Sequence, residues 1–262
     1  MTEFESQGAD LQLATVDKVL SDIVSATAGI SVDAADTVHE AVATIRKAAG
    51  QVRHAYGQVA DWMANETMPH DARINMVERL ATDIDGTVDA AHRVLDAQVD
   101  IAEKVLTYEA LPPAPSSTHD RHRVGQELAT VLQLMSGERL EAYLEELATR
   151  DDDWSGVLFT TFGRDLVRAK LGDRGDSVYA KLVALAVDHA KRVGGERAAA
   201  ARAREALPKL RGIMAGVKMA AKSLAEDGRK AARDAEEAYA KRLQRTAYLA
   251  GQRETERQYR NR

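Results

Sequence analysis

Apolar side chains recur every third and fourth position along most of this chain, the spacing that gathers them on one face of an α-helix. A first helix is expected over 9–28, with Leu13, Val16, Leu20 and Ile23 on one face; the next place in the series falls to Thr27, and Gly29 interrupts the pattern. Ser31 or Asp33 can cap the helix that follows, because a short side-chain oxygen accepts an unpaired first-turn N–H. That second helix, over 33–65, carries Val38, Val42, Ile45, Ala49, Val52, Tyr56, Val59 and Met63 in alternating steps of four and three, a heptad seam. The stretch 65–70 reads as a turn, with Pro69 suited to a helix start. A third helix over 70–108 repeats the seam at Ile74, Val77, Ala81, Ile84, Val88, Ala91, Leu95, Gln98, Ala102 and Val105.

Two heptad helices joined by a short turn are expected to fold back as an antiparallel hairpin. The implied register sets Met63 beside Ile74, Tyr56 beside Ala81, Val52 beside Ile84, Ala49 beside Val88, Ile45 beside Ala91 and Val42 beside Leu95. At a rise of ~1.5 Å per residue such an arm would run roughly 50 Å. It needs a third helix to cover its apolar surface.

Leu111-Pro112-Pro113-Ala114-Pro115-Ser116-Ser117 is a Pro-rich, semi-rigid linker and the expected domain boundary. A compact bundle is expected after it, built on Val124, Leu128, Val131, Leu132 and Met135, then on Leu140, Tyr143, Leu144 and Leu147. Asp151-Asp152-Asp153 suits a helix start. It precedes Trp154, Phe159 and Phe162, the aromatic candidates for a globular core. Gly172 reads as a C-cap and Gly194-Gly195 as a break. Beyond it the chain is Ala-rich and helical, with a weak stripe from Leu210 through Met214, Val217, Ala221, Leu224, Ala231 and Ala235 to Tyr239; Pro208 predicts a kink or restart, and the end from Gly251 is expected to fray. The expected class is therefore all-α: a helical hairpin arm over 1–110, a linker over 111–119, a bundle over 120–193 and a helical tail over 194–262.

Charge sharpens this picture. Positions 191–262 hold 19 Lys or Arg against 9 Asp or Glu, a net of +10; of the chain's 36 basic and 41 acidic residues this leaves 17 and 32 in positions 1–190, a net of −15. An acidic body and a basic tail imply an anionic partner, or a tail folded onto its own body or that of a second copy. Arg197, Arg204, Arg211 and Lys218 recur every seven residues, and Lys222, Arg229 and Arg233 continue the line. Such a line is either a solvated face or a surface for phosphates or acidic protein, with Tyr239, Tyr248 and Tyr259 as the aromatic candidates for base stacking.

The remaining chemistry is sparse. There are no cysteines, which removes disulfides and thiolate zinc sites and fits a reducing compartment. The acidic start Met1-Thr2-Glu3-Phe4-Glu5 is unlike a signal peptide, and no apolar run suits a membrane span, so a cytoplasmic or particle-bound location is expected. His119 and His122 lack a third metal ligand nearby in sequence, His92 and Asp96 read as a pair one turn apart, and Arg174-Gly175-Asp176 reads as a turn. No phosphate-binding loop, nucleophile elbow or zinc-protease motif occurs. The pattern points to a non-catalytic structural or assembly protein without cofactor or metal, docking to acidic protein partners or to copies of itself, in a larger particle such as a virion. The alternative is non-specific nucleic-acid binding through the basic tail.

Overall fold

In the computed structural model, the described residues are 13, 15–65 and 67–260, with side chains through Gly251. Residues 9–12 and 14 of the expected first helix and Phe4 lie outside them. Among the described residues the chain is all-α, without strands. The helices are α1 Val16–Ala26, α2 Val32–Ala64, α3 His70–Ala110, α4 Thr118–Gln133, α5 Gly137–Ala148, α6 Asp153–Leu158, α7 Thr161–Leu171, α8 Gly175–Val193 and α9 Gly195–Arg260. No helix of the described residues is long and apolar enough to cross a membrane.

Two compact units divide the chain, and the longer helices contribute to both. The first unit gathers Met1–Lys18, Thr44–Val94 and Gly212–Arg262. Its buried positions include Leu13 and Val16, then Ile45, Val52, Tyr56 and Val59, then Val77 and Val88, and Met214, Val217, Ala221 and Leu224. Of the seam residues expected here, Met63, Ile74, Ile84 and Ala91 are only half-buried. Close helix packing shows at Gly228, where an added Cβ would collide with Val77. Arg53 ties the α1 end to α2, donating to the Leu13 carbonyl at 2.7 Å and pairing with Asp17 at 3.0 Å. At the 65–70 turn the Arg73 guanidinium donates to the Asn65 carbonyl.

The second unit gathers Val19–Ala43 and Leu95–Arg211. Leu20, Ile23 and Thr27 are buried, so the α1 stripe continues through its polar member; the Thr27 hydroxyl donates to the Val24 carbonyl at 2.7 Å. Gly29 takes φ 88°, the left-handed region that favours glycine, and Ser31 then caps α2 by accepting from Ala34 N–H at 3.2 Å. Ser31 also binds Glu109, near the end of α3. Val38, Val42, Leu95 and Ala102 are buried as their spacing predicts, whereas late in α3 Val99 and Leu106 are buried and Gln98 and Val105 are half-buried. The face slips by one place because a straight helix drifts ~20° per heptad from a strict seven-residue repeat.

The bundle core holds Val124, Leu128, Leu132, Leu140, Leu144, Leu147, Leu158, Phe159, Val167 and Leu182. Trp154 and Tyr143 pack against it half-buried, and the Phe159 and Tyr179 rings meet at 6.2 Å. Phe162 departs from expectation: it is 48% exposed, its ring lying over Gly125 rather than in the core. The Pro-rich segment packs against the bundle, since the Pro113 carbonyl sits where a Cβ on Gly156 would be. Gly172 and Gly194 end α7 and α8 at positive φ as expected of C-caps. Helix α9 runs through Pro208 without restarting, and its described backbone is helical to Arg260.

Candidate interaction surface

The basic line of α9 meets a matching line on α3. In the second unit, Arg197 is 17% exposed, and its Nε donates at 3.0 Å to the carbonyl of Ala110, the last residue of α3. A cation there complements the negative end of the helix dipole. Its guanidinium also binds Asp151, whose other oxygen lies 3.6 Å from His189 Nε2. The acidic triplet thus divides its work, for Asp152 caps α6 by accepting from Ser155 N–H at 2.8 Å. Seven residues on, Arg204 pairs with Glu103 at 3.0 Å; seven further, Arg211 reaches Asp96 at 3.4 Å and Asp100 at 2.5 Å. The α3 partners Ala110, Glu103 and Asp96 descend by seven as the arginines ascend by seven, which is an antiparallel register.

In the first unit, Lys218 pairs with Asp89 at 2.5 Å and Arg229 with Glu78 at 3.0 Å; both helices advance eleven residues between the two pairs. Lys222 and Asp85 stand four residues further from Lys218 and Asp89 and line one groove of about 420 Å³ with Ala81, Ala221, Ala225 and Arg229. The close Lys218 ammonium, with the charges of Lys222 and Arg93, holds the Asp89 carboxyl below its ordinary pKa. Arg233 is exposed. Near it, His70 Nδ1 at the start of α3 lies 3.4 Å from Glu236.

These carboxylates were missed from sequence, although their signal is there. Glu103, Asp96, Asp89, Asp85 and Glu78 step by 7, 7, 4 and 7, the same intervals that carry Arg204 through Arg211, Lys218 and Lys222 to Arg229. Mirrored spacing of opposite charge on two helices is the mark of antiparallel partners.

Past this region α9 changes character. Ala232 is fully buried, but every residue from Glu236 to Gly251 is exposed, including Tyr239 at 49%, Leu243 at 52% and Tyr248 at 66%. Lys241, Arg242 and Arg245 lie in this stretch. In the second unit a cleft of about 440 Å³ lies between α3 and α8, floored by Leu111, Tyr179 and Val183 and edged by Asp100, Glu103 and Lys104. Burial pushes the Tyr179 hydroxyl pKa up. Among the described residues no three His, Asp or Glu side chains are grouped to hold a metal ion; His122 instead lies 2.9 Å from Gln126 Nε2.

The fold and this surface define an all-helical chain with opposed rows of charge on α3 and α9. Compared with family models, curated proteins and solved structures, the chain matches none.

Proposed function

We propose that this protein is a non-catalytic structural or assembly protein that docks onto other proteins in a larger particle, a virion or phage particle among the candidates. The observation that carries the reading is the contrast along α9. Up to Ala232 one face of the helix is packed, and Arg197, Arg204, Arg211, Lys218 and Arg229 pair with carboxylates of the same chain, whereas every residue from Glu236 to Gly251 is exposed. Helical segments of this length are marginal in water without packing, so the exposed stretch gains from a partner. The antiparallel pairing of α2 with α3 belongs to the same reading. The Ser31–Glu109 contact supports it in the second unit and the Arg73–Asn65 contact in the first.

The nucleic-acid alternative loses most of its proposed surface, because Arg197, Arg204, Arg211, Lys218 and Arg229 already face carboxylates or a carbonyl. The test is co-purification from the native host of the full chain and of a chain ending after Asp234, with duplex DNA titrated separately at low salt. Discrete co-assembly with protein that the truncation abolishes supports the reading. DNA binding that the truncation abolishes, without protein co-assembly, favours the alternative.

A further inference from the structure

We propose that the outward face of α3 in the second unit, from Ala97 to Tyr108, is the contact by which two copies of this chain pair antiparallel about a two-fold axis. This goes beyond the assembly reading above and does not depend on it.

Helix α3 carries an uncovered heptad seam. Ile101 is 54% exposed and Tyr108, seven residues on, is 77% exposed. Ala97 and Lys104 are exposed as well, and the four residues advance in steps of four, three and four. At ~100° per residue they lie within about 60° of one another around the helix, opposite the buried Leu95, Val99, Ala102 and Leu106. A seam of this spacing offers knobs and holes to a facing helix. Beside its later half lies the cleft of about 440 Å³, edged by Asp100, Lys104 and Tyr108 and floored by Leu111, Tyr179 and Val183.

The seam is complementary to itself. An isologous contact needs one surface that holds both halves of the fit. With the axis between Ile101 and Lys104, Ala97 faces Tyr108 of the second copy, and Ile101 faces its Lys104. The small Ala97 leaves room for the Tyr108 ring, and the earlier half of each seam covers the later half of the other, where the cleft lies. Charge agrees with this register. Among the described residues the Lys104 ammonium has no ion-pair or hydrogen-bond partner. Asp100 is 60% exposed, with one carboxylate oxygen held by Arg211 at 2.5 Å. The two-fold sets Asp100 of each chain beside Lys104 of the other, while the Lys104 stem lies over Ile101. A parallel pairing would instead set Lys104 against Lys104, which like charge disfavours.

The test is sedimentation velocity of the full chain over a range of concentrations. A reversible dimer is expected. Ile101→Glu should raise its dissociation constant at least tenfold and Lys104→Glu at least threefold. Both variants should keep the melting temperature of the dilute monomer, because both side chains are exposed in the single chain. Adding Asp100→Lys to Lys104→Glu should restore dimerisation. The chain has no cysteines, so oxidising an equimolar mixture of Ala97→Cys and Tyr108→Cys chains reads the register. The antiparallel pair yields the mixed disulfide, and a parallel pair yields the two like ones. A monomer at every concentration, a dimer indifferent to Ile101→Glu, failure of Asp100→Lys to compensate, or like disulfides would overturn the proposal.

Discussion

The Tyr56 hydroxyl donates to the Asp227 carboxylate at 2.9 Å, joining α2 to α9 across a sequence separation of 171, with the Ala220 carbonyl 3.1 Å from the same oxygen. Tyr56 is 7% exposed, so its ring packs within the first unit while its one polar atom is satisfied. A buried hydroxyl needs such a partner, and a charged acceptor strengthens the bond. Tyr56→Phe keeps the ring and removes the bond. It should cost about 1–2 kcal/mol in urea unfolding, while Asp227→Asn, which keeps an acceptor, should cost less.

The opposed charges predict a pairing that a double-mutant cycle can read. Exposed ion pairs are worth about 0–1 kcal/mol each, so Arg204→Glu or Glu103→Arg alone should destabilise modestly. The double swap should recover most of the loss, and the coupling should shrink in high salt. Arg197 differs because it is largely buried and holds both Asp151 and the α3 terminus. Arg197→Met should cost about 1–2 kcal/mol, chiefly for leaving the carbonyl of buried Ala110 without its donor.

Glycines on the long helices separate into two kinds. A Cβ at Gly50, Gly57, Gly86, Gly212 or Gly216 would meet nothing within 4 Å, whereas at Gly228 it would overlap Val77. Replacing each of the open five by Ala should raise stability by up to about 1 kcal/mol, the helix-propensity difference. Gly228→Ala should instead lower the melting temperature. Thermal melts of the six variants check both signs.

Acid should weaken the fold through its paired carboxylates. The Lys218 ammonium beside Asp89, and hydrogen bonds from Arg168 to Asp176 and from Lys191 to Asp188, hold these carboxyls below their ordinary pKa. A folded pKa below the unfolded one means stability that is present above the ordinary carboxylate value, about pH 4, and lost as pH falls through the folded values. Unfolding free energy should therefore decline below about pH 4. Lys218→Met should remove the Asp89 share and make that decline shallower.

The helices and most of their buried faces were legible in sequence because periodicity is local. Leu13, Val16, Leu20 and Ile23 needed only their spacing to be placed inside, as did Val38, Val42, Ile45, Val52 and Val59. Misjudged positions came from forces that spacing does not carry. Val99 and Leu106 displaced Gln98 and Val105 as helical drift accumulated along α3, and Phe162 found cover over Gly125 at the surface. The basic line on α9 was visible as a line, but its answer on α3 depends on register between residues far apart in the chain. Only the matched intervals of the two charge rows hint at it.

Hydrogen–deuterium exchange on the isolated full chain bears most directly on the division of α9 into a covered and an uncovered part. Amides from Arg197 to Ala232 should be strongly protected, and those from Glu237 to Gly251 should exchange within seconds. Equal protection along both stretches, or rapid exchange over 197–232, would contradict this account.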